Sequence, residues 1–406
     1  MLNILKHKVA VTAMIAAALA LPGMADAAQK PAKATARYSV KTVGDIVQLH
    51  DSKADATVSV LTGTSNAYEF VVHGKNVISM NIPTTTALRN NPGLNGVPFL
   101  GPFANRLDEM AFYANGKKYN FDPELGNVRA PIPQQGFLNS THDWKTVSVK
   151  ADANSATIVS KLEFWRHPDW MKQFPFALTY TMTIRLKDGV LEVNTKIDNL
   201  SNEPLPVSMG YHPYFALPEG NRNTWSLDFG ASTHWIETDA HLPTGEKETA
   251  DKFFGGDHHN VPLMRIADRR LDEVFSDLDR DAKGNASVLI KGDTTSIRVT
   301  AGPKIKTFLL YSEILPLPGA TPAAPAAGRG GAGRGPAPVY PYDGPVVPLT
   351  APNDMPRNTR GFIAIEPMAG ITNSMNMAQK GQYSELQSIA PGGSWNESVW
   401  ITPTGY

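Results

Sequence analysis

Leu191–Leu217, LEVNTKIDNLSNEPLPVSMGYHPYFAL, decides the fold. Leu191–Ile197 reads as a strand, Asp198–Asn202 as a polar turn and Pro206–Gly210 as a second strand. The same grammar runs outward in both directions. Towards the N-terminus come Phe176–Leu186, Ala156–Phe164, Trp144–Val149, Tyr68–Val72 and Thr57–Leu61. Towards the C-terminus come Trp225–Phe229, His234–Thr238, Ser287–Lys291, Ser296–Ala301, Thr307–Glu313, Phe362–Glu366 and Ser394–Ile401. Turns rich in polar residues, Gly or Pro separate them, and Ala114-Asn115-Gly116 before Lys117–Phe121 is a hairpin signal. Long helical periodicity is nearly absent. More than a dozen such strands predict an all-β fold, a large antiparallel β-sandwich.

The second half of the stretch raises a chemical question. His212 lies between Tyr211 and Tyr214, with Pro213 and Phe215 beside it. A histidine at a strand end among aromatics is more often a satisfied core residue than a proton donor. Partners elsewhere in the chain decide between the two.

Composition narrows the field. The chain has 406 residues, with 38 basic and 38 acidic side chains and no cysteine. Disulfides, thiolate chemistry and cysteine metal sites are excluded. Residues 1–27 read as a secretory signal peptide: Lys6 and Lys8, an apolar run from Val9 to Leu21, Pro22-Gly23, and Ala25-Asp26-Ala27 as the cleavage signal. Cleavage there leaves a net charge of −1, which argues against nucleic acid or an anionic membrane as partner. Residues 28–44 are expected to be a flexible leader and 45–406 the β-sandwich domain. A Pro/Gly/Ala-rich insertion at about 315–348 is expected to be disordered, because it has little apolar surface to bury. The protein is expected to be periplasmic or secreted, with no membrane contact after signal cleavage. Its oligomeric state is left open.

Several polar residues interrupt apolar or aromatic surroundings. Asn105-Arg106 follows two Pro-containing turns, and an arginine fork suits hydroxyls or a carboxylate. Gln135 lies in the polar loop Pro133–Trp144, which also holds His142. Asp272 stands between Leu271 and Val274-Phe275 and reads as a turn aspartate or as a holder of hydroxyls. Strand alternation puts Phe362, Ala364 and Glu366 on one face and Ile363 and Ile365 on the other. A glutamate ending an apolar strand is costly to bury unpaired, and burial raises its pKa towards that of a useful base. His212 and Glu366 together would be a donor facing a base, needing no metal or cofactor. The turn Asp257-His258-His259 is read as solvated and not as a metal site.

The order of these motifs resembles one known family. Gly101-Pro102-Phe103-Ala104-Asn105-Arg106-Leu107, Phe174-Pro175-Phe176, His212-Pro213-Tyr214-Phe215, Leu242-Pro243-Thr244-Gly245, Leu271-Asp272-Glu273-Val274-Phe275, Glu366-Pro367 and Pro391-Gly392-Gly393 are similar to segments of the aldose 1-epimerases. The resemblance implies a galactose mutarotase-like supersandwich and interconversion of the α and β anomers of free sugars such as glucose or galactose. It implies that Glu366 is the general base and His212 the general acid. It implies that Asn105, Arg106, Gln135 and Asp272 hold the sugar, with no cofactor. The chain departs from the family pattern at Gln135, where many members carry a second histidine; His142, seven residues on, is the nearest imidazole in sequence. The alternative expectation is a non-catalytic carbohydrate-binding member of the same fold.

Overall fold

The computed structural model describes residues 36–79, 82–315, 339–350 and 360–406. These fall in one unit, Ala36–Tyr406. Strands dominate them, and no helix among the described residues exceeds six residues. A five-stranded meander comes first, from Tyr38–Val43 to Lys75–Asn76, with its strands in sequence order.

A nine-stranded antiparallel sheet forms the outer layer. At its heart the strands Leu178–Lys187 and Val190–Asn199 pair along their whole length, from Lys187↔Val190 to Leu178↔Asn199. Asp188 and Gly189 connect them with φ of 51° and 71°. Two left-handed residues in a two-residue loop match the twist of the strands they join. In Val190–Asn199, every second residue from Leu191 onward is buried. That alternation is the half-buried pattern from which the sequence reading starts.

The eight-stranded sheet carries the candidate chemistry. Its order runs Pro243–Thr249, Ala231–Glu237, Leu271–Leu278, Thr307–Ser312, Ile363–Met368, Gly210–Tyr211, Phe99–Leu100, with Tyr214–Phe215 also paired to Ile363–Met368. One face looks into the main core, where Phe275, Phe308, Leu310, Ile363 and Ile365 join Val193, Ile197, Val288 and Val399 of the nine-stranded sheet. The other face carries two smaller clusters, one with Trp235, Val274, Leu309 and Met368 and one with Tyr214, Phe362 and Ala364. Ile363–Met368 is therefore buried on both faces. The alternation expected for Phe362, Ala364 and Glu366 matches the way these clusters divide its residues.

Two expectations need correction. Tyr38–Val43, within the expected flexible leader 28–44, is a strand paired with Ile46–Asp51 from Tyr38↔Asp51 to Val43↔Ile46. It is hard to see in sequence because only Tyr38 is fully buried. The Arg37–Asp51 ion pair, at 2.8 Å, ties its start. The expected disordered insertion at about 315–348 also ends in ordered chain. Residues 339–350 have no regular secondary structure, yet Tyr340 stacks on His142 with ring centres 3.8 Å apart. Tyr342 covers the Arg89 guanidinium at 3.9 Å, and Val347 is buried. The two tyrosines and the valine supply the apolar surface that the rest of the insertion lacks. The expected signal peptide, residues 28–35 and residues 316–338 lie outside the described residues.

Candidate active site

The site is built where two loops meet the inner edge of the eight-stranded sheet. Asn105 and Gln135, thirty residues apart, both adopt left-handed backbone, with φ of 52° and 62°. Asn105 N–H donates to the Gln135 side-chain oxygen at 3.0 Å, and Gln135 N–H donates to the Asn105 carbonyl at 2.7 Å. Leu107 N–H also donates to the Pro133 carbonyl at 3.0 Å. This stitching fixes the direction of Arg106 between the two loops.

Arg106 points at the sheet. Its two terminal nitrogens donate to the two oxygens of Asp272, at 3.2 and 2.8 Å, and one of them also donates to Asn105 Oδ1 at 3.0 Å. All three side chains are buried. Burial alone would push the Asp272 carboxyl up, but the Arg106 guanidinium outweighs it and holds the carboxyl below its ordinary range. Asp272 is thus a fixed anion in a bidentate pair.

His212 and Glu366 meet beside this pair. His212 Nε2 lies 2.9 Å from Glu366 Oε1, and both side chains are almost inaccessible. The imidazole packs between Tyr214, with ring centres 4.6 Å apart, and Tyr311, at 6.0 Å edge-on. Register places Asp272 opposite Tyr311, Tyr311 opposite Ala364, and Leu309 opposite Glu366. The pieces therefore share one face of three neighbouring strands. Burial raises the Glu366 carboxyl above the ordinary carboxylate range, against the pull of His212. His212 Nδ1 and Glu366 Oε2 are buried and make no hydrogen bond to the protein. Two such atoms in one hydrogen-bonded pair mark a place built for something other than stability.

Two further residues join the site that the sequence reading did not select. His241 Nε2 stands 3.9 Å from Asp272 Oδ2, and its Nδ1 stands 3.6 Å from Glu237 Oε2. The Glu237 side chain is 6% exposed, and neither carboxylate oxygen makes a hydrogen bond. Burial, with Glu273 and Asp272 nearby, pushes it up to about 7 against the opposing pull of His241. The signal was present in the sequence. Glu237 ends the apolar pair Trp235-Ile236 as Glu366 ends its own strand. His142 does not reach the site: its Nε2 lies 2.9 Å from the Arg89 carbonyl. A hollow of about 320 Å³ lined by Asn127, Phe137, Asn139 and Trp170 includes none of the converging residues.

Comparison with known proteins adds a family. Residues 60–328 match the sequence model of the aldose 1-epimerases. Glu366 lies beyond that segment, and its place beside His212 comes from the structure. YphB, an uncharacterised protein of Escherichia coli strain K12, is 27% identical over 143 residues, which is 35% of this chain and 43% of that protein. The match thus spans less than half the length of that relative. Among solved structures, a galactose mutarotase-like protein from Clostridium acetobutylicum superposes with a TM-score of 0.67 at 17% identity, covering 91% of this chain and 98% of that one. A galactose 1-epimerase from Lactobacillus acidophilus NCFM gives 0.63 at 14% identity, with the same coverage of 91% and 98%. At these identities the likeness shows a shared fold.

Proposed function

The chain belongs to the aldose 1-epimerase family, and on that premise we propose that it is an exported isomerase that interconverts the α and β anomers of free hexoses. The observation that carries this reading is the buried contact of His212 Nε2 with Glu366 Oε1 at 2.9 Å, beside the Arg106–Asp272 pair. The reaction needs one proton removed from the C1 hydroxyl and one delivered to the ring oxygen. Glu366 takes the first and His212 gives the second. The C1–ring oxygen bond breaks, and the C1 oxygen becomes the aldehyde. Rotation about C1–C2 presents the other face, and the reverse transfers close the ring. Glu366 and His212 return to their starting protonation states, so the cycle consumes no proton and needs no redox partner.

Arg106, Asp272, Asn105 and Gln135 hold the ring hydroxyls in this reading, and His241 offers a further imidazole beside Asp272. Their rigidity supports catalysis by orientation. Gln135 can position an oxygen but cannot carry a proton, which leaves His212 as the acid. Asp272 is committed to Arg106 as an anion, so it is unsuited to the acid–base role.

Polarimetry of freshly dissolved glucose or galactose tests the proposal. The protein, recovered from the periplasm or medium with Ala28 as its first residue, accelerates mutarotation. Glu366→Gln and His212→Asn each lower that rate by roughly 10²–10⁴-fold. Because burial raises Glu366, the acid limb of kcat/KM lies above the ordinary carboxylate range, and the rate falls as pH drops through it. Saturable sugar binding by the wild type with no acceleration would replace the enzyme reading with the carbohydrate-binding one.

A further inference from the structure

We propose that His258, His259 and Asp279 form a binding site for a divalent transition-metal ion of zinc-like chemistry. In sequence, Asp257-His258-His259 is a polar turn. The fold brings three distant aspartates to it. His258 Nε2 lies 3.3 Å from Asp279 Oδ2, and His259 Nε2 lies 3.7 Å from the same oxygen. All three ligand atoms lie within 4.8 Å of one another. Ligand atoms about 2.0–2.1 Å from a tetrahedral zinc stand roughly 3.3 Å apart, which the two histidine-to-Asp279 separations approach. The fourth position is left to water or to a ligand from outside.

The opposite side of each ring gives the second argument. His258 Nδ1 is 2.6 Å from Asp251 Oδ1, and His259 Nδ1 is 2.8 Å from Asp228 Oδ1. A neutral imidazole has one N–H. When each ring gives that N–H to its own aspartate, both Nε2 lone pairs are directed at the Asp279 carboxylate. In that tautomer a cation seated between the three atoms completes the arrangement. A carboxylate at Nδ1 with Nε2 directed at one point is the arrangement that orients metal-ligating histidines. Two imidazoles and one carboxylate select a transition metal over calcium or magnesium, which take oxygen ligands.

The turn is held for this task by its backbone. Asp251 Oδ1 also accepts the His258 N–H at 2.9 Å, and Asp257 Oδ1 accepts the His259 N–H at 2.9 Å. The His258 carbonyl in turn accepts the Phe229 N–H at 2.9 Å, tying the turn to the neighbouring strand. The overlapping group of Asp251, Asp257 and His258 has a single imidazole, and both of its aspartates are engaged by these amides. Asp272 stands near the start of the strand Leu271–Leu278 and Asp279 follows its last residue, up to roughly 23 Å away at about 3.3 Å per residue. The metal site is therefore independent of the proposed anomer exchange.

The test titrates the full chain with Zn²⁺ alone, in competition with a chromophoric chelator, and repeats it with Co²⁺ to read the visible bands of tetrahedral cobalt. The expected result is one equivalent bound, with those bands. Affinity falls at least about 100-fold in His258→Ala/His259→Ala. It falls roughly 10–100-fold in Asp228→Asn, which removes only the orienting carboxylate of His259. Circular dichroism of each variant separates a lost site from a lost fold. Equal Zn²⁺ affinity in wild type and the double variant, or no cobalt bands in the wild type, overturns the proposal and leaves protons as the cations between the rings.

Discussion

Glu237 and Glu366 are both carboxylates with little solvent access on strands of one sheet, yet only Glu366 has an imidazole within hydrogen-bond distance. His241 offsets only part of the cost of burying Glu237, which has a measurable consequence. Its carboxyl moves from an ordinary value of 4.5 to about 7. The folded state holds that proton more tightly than the unfolded chain. The resulting stability is complete below pH 4.5 and is lost as pH rises through about 7. A shift of this size corresponds to about 3 kcal/mol. In Glu237→Gln that loss is absent, so the stability gap between variant and wild type changes by about this amount across the window. Urea unfolding at a series of pH values measures it, and parallel curves would refute it. His212, Glu366, Arg106 and Asp272 stand out in sequence mainly through the order of motifs that resembles the aldose 1-epimerases, since taken singly each also reads as an ordinary structural residue. Glu237 carried a readable signal, whereas His241 is placed by geometry that no sequence pattern shows. A register shift between Trp235 and Glu237 re-aims the strand end, and a turn with His241 at φ 57° folds the ring back onto Asp272.

At the scale of the element, strand identity was legible wherever one face is wet and the other dry, as in Val190–Asn199. It failed at Tyr38–Val43, where a single fully buried side chain leaves no period to read. The contact between the Asn105 and Gln135 loops was hidden as well, since pattern rules do not pair two left-handed residues thirty positions apart. Gly136 makes that contact possible. A Cβ there would stand 2.1 Å from the Gly101 carbonyl oxygen, and its φ is 60°. Gly136→Ala must therefore move backbone and not merely a side chain. The expected cost is at least about 2 kcal/mol, more than the usual glycine-to-alanine change at a strained position. Sugar binding weakens with it, because the loop that aims Arg106 shifts. Denaturant midpoints and equilibrium sugar binding on the same variant check both; unchanged values in both would show that the stitching does not hold Arg106.

Across the whole molecule, the sandwich followed from the number of strands and the character of their turns. Their spatial order did not, because pairing between Thr307–Ser312 and Ile363–Met368 spans the insertion. The last part of the insertion packs through Tyr340 and Tyr342, against the disorder expected from its composition. That placement has a consequence for cutting the chain. A break between Leu315 and Val339 puts His212 in one piece and Glu366 in the other. The smaller piece supplies a strand to each large sheet. Ile363–Met368 is flanked by Thr307–Ser312 on one side and by Gly210–Tyr211 and Tyr214–Phe215 on the other. Ser394–Thr404 lies between Val190–Asn199 and Ser296–Ala301. A single proteolytic nick should leave the two pieces co-migrating on a native gel and competent in polarimetry. Neither piece alone should be active, and loss of activity on nicking without separation of the pieces would contradict this. On that outcome the chain would serve as a complementation pair, with the proposed activity reporting the reunion of its two unequal pieces.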